Sequence, residues 1–256
     1  MAYETNEIHT IQIKGNTMNT EKEKLAAEAR HDFASLRTLT KVLRDPDGCP
    51  WDREQDHRSI RNDMIEECYE VVEAIDTDNP TLLQEELGDV LFQVMFHARI
   101  EEEKGVFTID DVIHDICAKM IHRHPHVFGT VQADTSEKVL ANWEVIKKEE
   151  KSRNTVKASM ESIPPMLPAL MRAQKVAGKA MKDGYDFGTE EDLWQQIHAI
   201  GPGETREETL ANLAKLASLA AVLTKKLDGD LEGTVQKDTS EFIKNYQNPK
   251  TEEEHE

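Results

Sequence analysis

The chain has 256 residues, a net charge of −19 and 5% aromatic residues, with 38% of positions apolar and 32% charged. That acidic balance excludes a basic nucleic-acid-binding surface, and the scarcity of aromatics and glycines disfavours an all-β fold. Cys49, Cys68 and Cys117 form no disulfide framework and point to a reducing cytoplasm; the N-terminus lacks an apolar signal core and no run is long enough to span a membrane.

Residues 1–28 are polar, lack clear periodicity and read as a flexible leader. Beyond them the pattern is helical. Phe33, Leu36, Leu39 and Leu43 recur at three- and four-residue steps, as do Ile60, Met64, Cys68, Val71 and Ile75. Leu83, Leu87, Val90, Leu91, Val94 and Ala98 form the next set. Between these last two sets stands Asp76-Thr77-Asp78-Asn79-Pro80. Asn-Pro favours a turn and Pro80 suits a first helical turn, so an antiparallel helix hairpin is predicted. Val112, Ile116 and Met120 continue the pattern, and Val139, Trp143, Ile146 and Lys147 share one further helix face.

Pro164, Pro165 and Pro168 mark residues 152–168 as a linker. It separates a first helical domain, residues 29–151, from a second, residues 169–247. Helices are expected there over Leu170–Lys182, Leu193–Ile200, Leu210–Leu227 and Val235–Tyr246. The polar run Asn248–Glu256 reads as a disordered tail. The predicted fold is all-α: a bundle built on the hairpin, followed by a second helical unit.

The hairpin carries the chemistry. Its first helix holds Glu66-Glu67-Cys68-Tyr69-Glu70 and its second Glu85-Glu86-Leu87-Gly88-Asp89. Residues three apart share a helix face, which pairs Glu67 with Glu70 and Glu86 with Asp89. Glu67 and Asp89 are equally far from Asp78 along the chain, as are Glu70 and Glu86, so a turn at Asp78 lays the two pairs level. Four anions beside Cys68, Val71, Leu87, Val90 and Leu91 repel one another and are poorly solvated, so they call for cations. A carboxylate set without histidine selects a hard ion, Mg²⁺ first and Mn²⁺ second. The competing reading, a solvated acidic face, suits Glu73 and Glu101–Glu103 better than a level double pair. Gly88 would cost roughly 1 kcal/mol relative to alanine within a helix, and is expected to permit close helix approach at the site.

The Glu-Glu-x-x-Glu motif at Glu66–Glu70, followed by Glu-x-x-Asp at Glu86–Asp89, resembles the MazG family of nucleoside triphosphate pyrophosphohydrolases, part of the all-α NTP pyrophosphatase superfamily. Three further segments share the likeness: Leu43–Gln55 (LRDPDGCPWDREQ), Lys119–Phe128 (KMIHRHPHVF) and Asn142–Lys147 (NWEVIK). The match runs in order over roughly residues 30–150. It implies Mg²⁺-dependent hydrolysis of nucleoside triphosphates to monophosphate and pyrophosphate. It implies Glu67, Glu70, Glu86 and Asp89 as metal ligands, and nucleotide contacts from Lys119, Arg123, Trp143 and Lys147. Lys119 and Arg123 are four apart, as are Trp143 and Lys147, so each pair shares a face if helical; such cations suit phosphate oxygens. Trp143 either stacks on the nucleoside or fills the core. On the resemblance alone, Trp51 and Gln55 shape the nucleotide pocket. Glu66, beside the ligands, is the candidate water-orienting base. His122, His124 and His126 alternate around Pro125; they either point one way in an extended stretch, as transition-metal ligands do, or form a loop after the phosphate-binding helix.

Leu167–Ala173 and Gly184–Gly188 resemble the connector and second repeat of tandem MazG proteins. The corresponding stretch Glu207–Ala220 lacks the Glu-x-x-Asp element and carries Asn212, Lys215 and Ser218 among alanines and leucines. The second unit therefore reads as a degenerate repeat, with Glu204, Glu207 and Glu208 as helix N-terminal charges. Two other functions remain open: a strict dUTPase or phosphoribosyl-ATP pyrophosphatase-like activity, or a non-catalytic helical protein that senses nucleotide or metal. A hairpin exposing two apolar faces gains from a partner, so a homodimer forming a four-helix bundle is expected unless the second repeat covers that face.

Overall fold

The computed structural model describes residues 20–150 and 155–246. Those residues contain thirteen helices and no strand, an all-α fold. The chain divides into two compact units, residues 1–132 and 133–256.

In the first unit, α1 (Glu21–Ala27) occupies part of the expected leader. A capping box between Thr20 and Glu23 starts it. Lys41 and Asp47 then hold it, through Glu21 at 2.6 Å and Lys22 at 2.5 Å. Residues 1–19 of the expected leader lie outside the described residues. Next come α2 (Phe33–Arg44), α3 (Pro50–Glu54), α4 (Arg61–Asp76), α5 (Pro80–Glu103), α6 (Ile109–Arg123) and α7 (Pro125–Phe128).

The connection from α4 to α5 is short because its residues suit it. Asp78 takes φ 49°, a left-handed conformation that aspartate tolerates. The Asn79 side chain accepts from the Leu82 N–H at 3.1 Å, and Pro80 stands in the first turn. The result packs α4 along α5, while α2 and α6 also pack on α5. Ile60, Phe96 and Ile100 form one core cluster with Phe92; Met95, Ala98 and Ile109 form a second with Leu36, Val94 and Val112. So α5 is the column around which the first unit assembles.

Two expectations need correcting here. A Cβ at Gly88 would meet nothing within 4 Å, so no described residue comes close there and the glycine is not a helix-contact point; α4 packs on the other face of α5. The three histidines are not in extended backbone either. His122 lies within α6 and His126 within α7, and His124 Nδ1 donates to the Met120 carbonyl at 2.6 Å.

The second unit contains α8 (Ser136–Glu150), α9 (Val156–Glu161), α10 (Ala169–Lys182), α11 (Glu190–His198), α12 (Arg206–Lys226) and α13 (Leu231–Asn245). Helix α9 stands inside the stretch read as a linker, started by Thr155, whose hydroxyl accepts from the Ala158 N–H at 3.1 Å; residues 151–154 are outside the described ones. Helices α11 and α12 begin earlier than their apolar periodicity suggests. Capping boxes at Thr189–Asp192 and Thr205–Glu208 add polar first turns that carry no hydrophobic signal. The core of this unit is Ala177, Leu193, Val222 and Leu223, with Met181, Phe187, Ile197 and Leu219 against it. The expected tail, residues 248–256, lies outside the described residues.

Candidate metal and nucleotide site

Packing α4 on α5 brings carboxylates together across the turn. Glu67, Glu70 and Glu86 each offer an oxygen within 4.8 Å of the others, with Glu86 buried and the other two half-buried. Asp89 is exposed at the edge of this group, one turn beyond Glu86.

The electrostatics follow from the crowding. Burial first, then a hydrogen bond with Glu70 and the negative charges of Asp89, Glu70 and Glu86, pushes the Glu67 carboxyl up to about 7. Glu86 is raised as well, by burial and then by the charges of Glu70, Glu85 and Asp89. Every influence on these two groups favours the protonated form, so the cluster has a surplus of acceptor oxygens. A bound cation would replace the missing protons. The donors are all carboxylate oxygens without sulfur or imidazole, which fits a hard divalent ion such as Mg²⁺ or Mn²⁺ and not a thiophilic one.

The remaining residues singled out by the sequence fall into four groups. Glu66 is exposed beside Glu67. On α6, which packs on α5, Lys119 is exposed and Arg123 half-buried. In and after α3, Trp51 is 60% exposed, and Gln55 Nε2 donates to the Trp51 carbonyl at 2.9 Å. Trp143 and Lys147 belong to the second unit. They share one face of α8, with Lys147 Nζ 5.3 Å from the centre of the half-buried Trp143 ring.

A polar stripe that the apolar pattern does not mark continues along α5 past the carboxylates. Gln93 is buried, and no donor meets its Oε1. One turn further, His97 Nδ1 lies 2.7 Å from His57 Nδ1, with the two rings 14° from parallel and 5.0 Å between centroids. His57 Nε2 is 2.5 Å from Glu101 Oε1, which also takes Lys104 at 2.6 Å. Burial, then the neighbouring His57, lowers the His97 pKa. The available signal was the spacing of Glu86, Asp89, Gln93, His97 and Glu101, polar residues at helical steps through an apolar helix.

In the second unit, Asn212 and Glu208 hold local backbone. Asn212 Nδ2 donates to the Gly201 carbonyl at 2.9 Å, tying down the loop before α12. Glu208 accepts from the backbone N–H groups of Glu204 and Thr205 at 2.8 and 3.2 Å, as an N-terminal cap.

Comparison with known proteins gives the family. Residues 55–128 match the model of the MazG nucleotide pyrophosphohydrolase domain. The nucleoside triphosphate pyrophosphohydrolase/pyrophosphatase MazG of Thermotoga maritima is 38% identical over 222 residues, covering 84% of each chain. The chain belongs to the MazG family. Two other relatives are similar over shorter spans. The uncharacterized protein YabN of Bacillus subtilis is 53% identical over 147 residues, which is 57% of this chain and 30% of YabN. The nucleoside triphosphate pyrophosphohydrolase of Escherichia coli K12 is 44% identical over 155 residues, 60% of this chain and 59% of that protein. The chain thus spans less than two thirds of the length of these two relatives. The stretch matching the MazG domain, residues 55–128, contains Gln55, the four carboxylates, Lys119 and Arg123; Trp51, Trp143 and Lys147 lie outside it.

Proposed function

We propose that the chain hydrolyses nucleoside triphosphates between the α and β phosphates, giving monophosphate and pyrophosphate, with Mg²⁺ as the cofactor and Mn²⁺ as a substitute. The observation that carries this reading is the gathering of Glu67, Glu70 and Glu86 within 4.8 Å, with Glu67 pushed up to about 7. Relatives from Thermotoga maritima and Escherichia coli that bear nucleoside triphosphate pyrophosphohydrolase names support it.

Glu67, Glu70, Glu86 and Asp89 would hold the cation. When bound, the ion supplies Lewis acidity, a lowered water pKa and alignment of nucleophile with leaving group. The protein's own groups do the rest. Glu66, exposed beside the ligands, orients the attacking water and takes its proton. Lys119 and Arg123 offset phosphate charge from one face of α6, and pyrophosphate departs as the leaving group. Trp143 and Lys147 are assigned to nucleotide contact, and Trp51 and Gln55 to the nucleotide pocket. Catalysis is assigned to residues 29–151, and residues 169–247 to a degenerate repeat that packs without catalysing.

We assign a homodimer to the protein. Ile65, Tyr69 and Val72 on α4 and Leu87 and Leu91 on α5 are exposed apolar residues that a second hairpin would cover in a four-helix bundle. The three free cysteines favour a reducing cytoplasm.

A nucleotide panel tests the assignment, with pyrophosphate release followed in Mg²⁺ and in chelator. Cleavage of several nucleoside triphosphates that stops in chelator is expected. Activity restricted to dUTP or phosphoribosyl-ATP would favour the narrower enzymes, and Mg²⁺-nucleotide binding without release would favour a sensor.

A further inference from the structure

Arg44 ends α2, and its side chain is only 6% exposed. Nearly all of its donors are used. Nε and Nη2 grip the two oxygens of Glu103 on α5, each at 2.9 Å, in a bidentate pair. Nη1 donates to the carbonyls of Asp52 at 2.5 Å and Gln55 at 3.1 Å. The guanidinium also lies 5.2 Å from the centre of the Phe96 ring, so it packs on the core face of α5. One side chain therefore ties the segment after α2 to the helix that carries Glu86 and Asp89.

The segment it holds is braced throughout. Gly48 folds back so tightly that a Cβ would stand 2.3 Å from the Val42 carbonyl oxygen, and the Cys49 N–H donates to Leu43 O at 2.8 Å. Arg53 Nη1 donates to the Pro46 carbonyl. Gln55 Nε2 closes on the Trp51 carbonyl at 2.9 Å. What this bracing presents to solvent is Trp51, a large aromatic at 60% exposure. A rigid mount under an exposed indole suits a stacking surface for a flat ligand group better than a core role.

We propose that Arg44 is a positioning residue for nucleotide binding: it fixes the Asp52–Gln55 turn against Glu103 of α5 so that Trp51 is presented to the nucleoside part of the substrate. This rests on the nucleotide-hydrolase reading. Arg44 itself touches no substrate and acts through Trp51, which separates its effect from that of the carboxylates. Lysine does not replace it, since a single ammonium cannot hold a carboxylate bidentately and reach two carbonyls at once.

The test is a double-mutant cycle on the full chain, with Arg44→Lys, Trp51→Ala and the two combined. Its readout is the Kd for an α,β-methylene nucleoside triphosphate in Mg²⁺, measured by calorimetry, alongside kcat for pyrophosphate release. Each single variant is expected to weaken Kd by about five- to tenfold, with the double variant no weaker than Trp51→Ala within about twofold. For Arg44→Lys, kcat at saturation stays within about twofold of the parent. Independent, multiplying losses, or an unchanged Kd in either single variant, overturn the proposal. Glu103→Gln, which keeps the acceptor and removes the charge, runs the same cycle if Arg44→Lys does not fold. If these Kd shifts appear but no variant or parent releases pyrophosphate, the hydrolytic reading fails while the positioning role stands.

Discussion

Glu70 on α4 and Glu86 on α5 bring carboxylate oxygens within 4.8 Å of each other, with Glu67 completing the group. Like charges this close oppose folding unless protonated or bridged by a cation. Their burial and mutual repulsion raise both Glu67 and Glu86, so the protein folds with a charge conflict built into its hairpin. A cation bound there would resolve it.

If the cluster holds the catalytic cation, Glu70→Ala and Asp89→Ala each lower pyrophosphate release by more than about a hundredfold, beyond the loss expected from an outer-sphere partner. Far-UV circular dichroism stays near that of the parent, because neither side chain is part of the apolar core clusters. Turnover that survives both substitutions removes the cluster from the mechanism.

The pH dependence of stability has a definite sign. Glu67 ionises at about 7 in the folded chain, above its ordinary 4.5. The folded state therefore holds this proton more tightly than the unfolded state. Its contribution is fully present below about pH 4.5 and is lost as pH rises through about 7. In chelator, thermal melts of the parent lose stability over that window relative to Glu67→Gln. Because Mg²⁺ competes with the proton, its stabilising effect on Tm is larger at about pH 8 than at about pH 5.5. Equal Mg²⁺ effects at the two pH values contradict this linkage.

How far the sequence reaches depends on whether the governing contact is local. The crowding of Glu67, Glu70 and Glu86 followed from periodicity and from counting outward from Asp78, since α4 and α5 are joined by a turn whose residues dictate its shape. The starts of α11 and α12 were misplaced because capping residues are polar and carry no periodic apolar signal. Gly88 was read as a contact point, but helix identity does not say which face a neighbour occupies, and the space beside it is open. Arg44 was invisible because its partners, two loop carbonyls and Glu103, meet it only after α2 has packed on α5. The stripe of Gln93, His97 and Glu101 is present in the spacing, but its partner His57 comes from before α4, which the spacing on α5 does not show.

Gln93 gives a prediction independent of catalysis. Its Oε1 is buried with no donor, which costs about 1–3 kcal/mol of desolvation. Gln93→Met, similar in volume and without the orphaned carbonyl, should stabilise the chain by about 1 kcal/mol in denaturant melts. A destabilisation of that size would mean the amide carries a contact that the folded chain depends on.

The exposed stripe on the hairpin bears on assembly. Leu91 is 40% exposed on α5, with Leu87 one turn before it. Sedimentation of the parent should give a dimer, and Leu91→Lys should shift it towards monomer by placing a charge in an apolar contact. A monomeric parent, or a dimer indifferent to Leu91→Lys, rules out this face as the interface.

The central claim is attack of water on the α-phosphorus at the carboxylate cluster. Hydrolysis of a nucleoside triphosphate in ¹⁸O-labelled water with Mg²⁺, followed by ³¹P NMR and mass spectrometry, tests it most directly. The account predicts labelled nucleoside monophosphate with unlabelled pyrophosphate. Nucleoside diphosphate with inorganic phosphate, or label in the pyrophosphate, would contradict it.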